Sequence, residues 1–221
     1  MTHQVAVTPI SGLENKYFKN LNYFPEADTV YLQFKEIDVL VNASTGDKKN
    51  IHFPENWNGT TLSSYDPASG LYAFSDDHII VLVNSEGESV TEISGMNLVP
   101  YAMDFYDQQD SHSLLLVAYK NGSLYRYSVE TGEFIGKSDL SAYLNGSKTV
   151  NDQIIIDEEN NLLLVYAGGL MDVFELSSWT EVASIPSCYG YAASTDTFIV
   201  YGYEDSSSET QDRLDISSVT Q

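Results

Sequence analysis

One stretch, LLLVAYKNGSLYRYSVETGE from Leu114 to Glu133, reads as strand, tight turn, strand and second turn, and the chain repeats it. Four more segments follow the same plan: Val30–Asp47, Leu71–Glu88, Leu162–Glu181 and Thr197–Gln221. Gly46, Gly87 and Gly132 mark the second turn in three copies, at spacings of 41 and 45 residues, and Trp179 stands at the same place 47 residues further on. The last copy is in step with the fourth, since LDISSVTQ from Leu214 lies 40 residues after FELSSWTE from Phe174. A unit this small cannot bury its apolar faces alone, so such a chain must stack its copies.

Each copy is preceded by another candidate strand and turn: YFPEADT, SSYDPASG, MDFYDQQDS, QIIIDEENN and YGYAASTDT. The first four are followed by one more strand, as in SVTEI and EVASI. Four strands per unit at a period of about 40 to 48 residues fit the blades of a β-propeller. Asn121-Gly122 reads as a two-residue hairpin loop, Gly168-Gly169 and Asp76-Asp77 sit at the same break, and the polar stretch GYEDSSSETQDRL reads as a long loop. No segment carries a capped 3.6-residue period, so little or no helix is expected.

Over essentially the whole chain the pattern resembles the WD40-like and YVTN-like β-propeller repeats. It departs from them in having no Trp-Asp pair at the end of a third strand and no Gly-His pair opening a unit. With only Trp57 and Trp179, it also lacks the tryptophan-docking repeats of quinoprotein propellers. The expectation is one all-β domain over 1–221, a β-propeller of five four-stranded blades, with units near 17–55, 60–96, 100–138, 149–186 and 188–221. The fifth copy stops after its third strand, and HQVAVTPIS near the N-terminus resembles the fourth strand TEVASIPS. His3–Ile10 is therefore expected to pair beside Leu214–Ser218 and complete the last blade, because ring closure removes reactive sheet edges. The rival expectation is a piece of a larger propeller.

Charge narrows the partners. Ten Lys+Arg against 32 Asp+Glu give a net charge of -22. Such a surface repels phosphate backbones and anionic membranes, so neither nucleic acid nor a membrane is an expected partner. No apolar run approaches the ~18 residues of a membrane span, and the first residues carry neither a basic nor an apolar signal region. The acidic, Tyr-, Asn- and Ser-rich composition leads us to expect a monomeric extracellular or cell-envelope module of a larger surface protein, with a cytoplasmic setting as the alternative. The single cysteine, Cys188, excludes an internal disulfide and reads as a small buried hydrophobe.

In a propeller the blade-to-blade connections and the turns between second and third strands emerge on one face. That face receives Trp57, Tyr101 and Tyr143, with Lys35 and Lys120 beside them. Aromatic anchors on a less acidic rim suit a protein or carbohydrate partner; the alternative is that these rings pack beneath their own loops. The opposite face collects acids such as Asp66, Asp107 and Asp157, which hairpin turns favour on their own account.

Catalytic patterns are thin. His3, His52, His78 and His112 fall in different units without metal-ligand spacing. No phosphate-binding glycine loop precedes a helix, so no cofactor is expected. A second reading is a glycoside-type hydrolase using channel carboxylates, chiefly Asp104 and Asp152, which requires two carboxyls about 5 to 10 Å apart. Asp104, Asp107 and Asp110 could offer oxygens to calcium, but they lack the alternating acids and central glycine of a calcium loop, so no metal is expected. Glycosylation sequons begin at Asn42, Asn58, Asn121 and Asn145, where turn and loop roles explain the same residues.

Overall fold

The computed structural model describes residues 12–13, 16–94, 98–107, 113–140, 153–167, 170–192, 197–203 and 209–215. Among them the regular structure is β-strand, apart from one 3-10 turn at Pro25–Ala27. The chain divides into two compact units, Met1–Met96 with Glu130–Gly132, and Asn97–Val129 with Glu133–Gln221.

The first unit holds two antiparallel sheets in simple up-and-down order. One is β1 (Phe18–Phe24), β2 (Thr29–Phe34), β3 (Asp38–Asn42) and β4 (Lys48–Ile51); the other is β5 (Leu62–Asp66), β6 (Leu71–Ser75), β7 (Ile80–Val83) and β8 (Ser89–Ile93). The second unit repeats the order in β9 (Pro100–Tyr106), β10 (Leu114–Tyr119), β11 (Ser123–Ser128) and β12 (Phe134–Asp139), then in β13 (Gln153–Asp157), β14 (Leu162–Ala167), β15 (Leu170–Glu175) and β16 (Thr180–Pro186). A further sheet has three described strands, β17 (Cys188–Ala192), β18 (Thr197–Tyr203) and β19 (Glu209–Asp215).

Middle strands such as β7, β10 and β14 are continuous apolar runs, as strands with both faces covered are. Alternate residues of β2 and β3 go opposite ways. Tyr31 and Leu40 pack with Tyr72, Phe74, Val81 and Val83, while Leu32, Phe34, Val39 and Val41 form a separate cluster. In the second unit Leu116 and Leu124 pack with Leu163, Val165 and Phe174. Leu164, Tyr166, Met171 and Val173 in turn meet Cys188 and Phe198. The fourth strands are exposed until their inward-facing ends, such as Ile51 and Ile93. Lys48 and Lys49 on β4 make its free edge unattractive to another strand.

The turn after the third strand is left-handed in the four copies where it is described: φ is 79° at Gly46, 85° at Gly87, 71° at Gly132 and 58° at Trp179. Glycine takes this conformation freely, whereas an aromatic residue is strained there. Trp179 is held by its surroundings: the Arg126 guanidinium lies 4.6 Å from its ring centroid and Tyr106 meets it edge-on at 5.9 Å. Burial lowers the Arg126 pKa, and its Nη1 donates to Ser138 Oγ at 2.9 Å.

Gly87 carries a second constraint. Its carbonyl accepts the N–H of His52 at 3.4 Å, and a Cβ placed on it would stand 2.3 Å from the carbonyl oxygen of Asn50. Ser89 Oγ also donates to the His52 carbonyl, and Lys49 pairs with Glu86. The outer strands of the first two sheets are thus fastened together where β4 ends.

Two local expectations need correction. The Asn121-Gly122 hairpin is not a two-residue loop. Tyr119 pairs with Ser123 and encloses three residues, with Gly122 at φ 80° taking the left-handed position such loops require. The polar stretch GYEDSSSETQDRL is not all loop, since Glu209–Asp215 pairs residue for residue with Tyr203–Thr197. Long β-pairing outweighs polar composition there. His3–Ile10 and its expected pairing with Leu214–Ser218 lie outside the described residues.

Candidate functional site

The turn from β2 to β3 and the connection from β4 to β5 converge at one end of the first sheet. Between them lies a pocket of about 460 Å³. Lys19 of β1, the turn Gln33–Asp38, Asn50–Phe53 at the end of β4, and Trp57–Gly59 line it. The local sequence explains the shape. FKEID makes a tight turn closed by the Gln33–Asp38 pair, in which Phe34 N–H donates to the Ile37 carbonyl. PENW makes a second turn, with Trp57 N–H donating to the Pro54 carbonyl.

That second turn folds the Trp57 indole back onto Phe53, ring over ring, with centroids 4.1 Å apart and planes within 9°. Phe53 leans edge-on against Phe74 of the core. The half-buried indole therefore forms a rigid wall, continuous with the hydrophobic interior. Its Nε1 is buried and finds no hydrogen-bond acceptor among the described residues. An unspent buried donor of this kind costs about 1–3 kcal/mol.

Asp38 is the pocket's half-buried acid. The phenol of Tyr31, fully buried, donates to Asp38 Oδ1 at 3.0 Å. With its proton so placed, Tyr31 accepts from Thr60 Oγ1 at 2.6 Å. Burial pushes the Asp38 carboxyl up to about 6, while the Tyr31 hydrogen bond and the Lys19 charge pull it down. The Tyr31 phenol is raised well above its ordinary value by burial first and by the Asp38 charge second. Glu36, also on the lining, pairs with Lys16 at 3.1 Å. Lys19 and Lys35 are exposed at the mouth and make no ion pair among the described residues.

The structure brings together two of the five residues expected to bind a partner, Trp57 and Lys35. Tyr101 is not a rim residue. It is the second residue of β9, only 4% exposed, and its ring belongs to the core cluster with Ala102, Leu124 and Leu140. Strand β9 starts at Pro100, earlier than the loop-like sequence suggests, so Tyr101 points into the sheet stack. Lys120 is half-buried in the β10–β11 turn, where its N–H donates to the Val99 carbonyl. Tyr143 lies outside the described residues. Sequence reasoning missed Asp38, Tyr31 and Thr60.

The acids of the opposite sheet ends have turn roles. Asp66, 1% exposed, accepts from the N–H groups of Ala68 and Ser69 and from Ser69 Oγ. Asp157 accepts from Asn160 and from the Tyr191 phenol; burial alone would raise its pKa, but these bonds outweigh it and hold it below the ordinary value. Asp104 is half-buried in β9 and accepts the N–H of Phe105. Asp152 and Asp110, its suggested partners for hydrolysis and for calcium, lie outside the described residues. Among those described, no three His, Cys, Asp or Glu side chains gather in a group able to hold a metal ion. Nor is any described helix long and apolar enough to cross a membrane.

No protein-family model matches the sequence, and the search of curated proteins returned no match. Among solved structures the chain is similar to the WD40 domain of Neurospora crassa Pan2, at 11% identity and a TM-score of 0.62, over 96% of this chain and 67% of that one. At that identity the likeness speaks to architecture. Together with the repeated antiparallel sheets, it shows that the chain has the all-β fold of a WD40-like β-propeller.

Proposed function

We propose that this chain is a non-catalytic interaction module that takes a segment of a protein partner at the Trp57 pocket. One observation carries the reading: an aromatic wall, rigidly stacked on the core, opens onto a pocket whose mouth holds two lysines that form no ion pair among the described residues. Interface anchors are enriched in tryptophan, and the surrounding polar rim supplies orientation. The volume suits one or two side chains of a bound segment.

Asp38 alone does not favour hydrolysis. A raised carboxyl can act as an acid, but glycoside chemistry needs a second carboxyl poised across the substrate. Glu36 is at the surface and tied to Lys16.

The test is panning of a random displayed-peptide library on the immobilised chain, with enriched peptides re-measured against Trp57→Ala and Lys35→Glu. The indole supports the core, so a thermal melt accompanies the first variant; the exposed lysine variant guards against a folding artefact. Support is an enriched peptide whose affinity drops about tenfold or more in both variants. The reading is overturned if no peptide enriches, or if binding is equal in wild type and Lys35→Glu.

A further inference from the structure

The pocket's mouth carries cationic donors that form no ion pair. Glu36 is paired with Lys16, and Asp38 already accepts from Tyr31. The Nζ groups of Lys19 and Lys35 form no ion pair among the described residues, although the Lys19 charge acts on Asp38. Trp57 Nε1 has no acceptor there. Cationic donors of this kind favour a ligand that accepts.

Charge placement agrees. Five of the chain's ten cationic side chains, Lys16, Lys19, Lys35, Lys48 and Lys49, fall in the first repeat unit, although the chain as a whole carries -22. Lys16 and Lys49 are spent on Glu36 and Glu86. The two that line the pocket are not. At physiological salt the screening length is about 8 Å, so distant acids are largely masked and the potential at the mouth is set by the lining itself, where Lys19 and Lys35 stand beside Asp38 and the Lys16-paired Glu36.

We propose, resting on the binding reading above, that the segment recognised here is acidic, with a carboxylate seated between Lys19 and Lys35 against the Trp57 ring. Charge-assisted bonds of this type are the strong class.

The same geometry makes recognition proton-linked. The incoming carboxylate approaches Asp38, and two carboxylates at one site favour sharing a proton. The charged and titratable groups facing Asp38 are Lys19 from β1, Tyr31 from β2, Lys35 and Glu36 from the turn, and His52 after β4. Tyr31 stays protonated throughout the neutral range. With His52 replaced by Gln in every variant, no histidine remains on the lining, and Asp38 is the lining carboxyl that burial raises to about 6. Binding then takes up a proton and strengthens in acid.

The experiment follows the indole N–H resonances of the chain by NMR, assigned with Trp57→Phe. Probes are acetylated, amidated tetraglutamate and tetralysine, with maltotriose as the glycan control. Tetraglutamate is expected to shift the Trp57 resonance and leave that of Trp179 in place. Its affinity should be about tenfold higher at pH 5.5 than at pH 7.5, fall about tenfold in Lys19→Gln/Lys35→Gln, and lose its pH dependence in Asp38→Asn. A shift by tetralysine or maltotriose instead, or tetraglutamate binding that ignores both lysines, overturns the proposal. Library peptides that are neutral or basic yet still depend on Lys35 would sink the acidic ligand while leaving the interaction module standing.

Discussion

The β2–β3 and β6–β7 turns occupy the same place in successive sheets and have the same backbone. Gln33 pairs with Asp38 as Ser75 pairs with Ile80, and Phe34 N–H reaches the Ile37 carbonyl as Asp76 N–H reaches that of Ile79. Their acids differ. In the second turn Asp76 sits at the position of Phe34, 1% exposed, and accepts from the N–H groups of His78, Ile79 and Asn58. In the first, the acid is moved to the closing pair, where Asp38 meets a phenol and the pocket. One carboxylate finishes a turn; the other is left facing a cavity. In a chain with 32 acids, what separates a structural aspartate from a candidate site is how many backbone donors it has already consumed.

The largest expected effect breaks the finished turn. Asp76→Ala strands buried N–H groups and should lower stability by about 2–3 kcal/mol in urea unfolding; a loss under about 0.5 kcal/mol would show that the turn closes without its acid. Tyr31→Phe comes next, at about 1–2 kcal/mol. Because the phenol pulls the Asp38 pKa down, this variant should also titrate Asp38 still higher, which carboxyl NMR shifts would reveal.

Asp38→Asn should leave stability near neutral pH little changed or improved, and alter its pH dependence. The folded carboxyl titrates at about 6 and the unfolded one near the ordinary 3.8, so between these values the folded state holds the extra proton. Wild type should therefore gain stability from this group as pH falls through about 6, with the gain complete near 4. Melting curves across that window should lose this component in the variant. Lys35→Gln, the smallest effect, should change stability by less than about 0.5 kcal/mol; a larger loss would mean the lysine is part of the turn rather than of the pocket mouth.

The backbone framework was legible because period and turn chemistry are local. Gly46, Gly87 and Gly132 announce their left-handed turn, and spacing alone places Trp179 with them. The Pro25–Ala27 turn and the extent of β19 were less visible, since the first breaks a strand pattern briefly and the second is polar throughout. The pocket was half legible. Trp57 and Lys35 sit in the turns that the repeat pattern puts at one end of the sheet. Asp38, Tyr31 and Thr60 did not stand out, because their network joins three strand and loop positions up to 29 residues apart. Tyr101 is misplaced because β9 begins at Pro100, three residues before the Met103 start that the sequence suggests.

The close approach at Gly87 has a consequence for how such a pocket can change over time. Its far wall, His52 and Phe53, follows directly from the point where Asn50 leaves no room for a side chain at position 87. Any larger residue there acts as a wedge driven between the outer strands, and the wedge would be felt at the pocket mouth. The aperture can thus be altered from a turn that does not itself line the pocket.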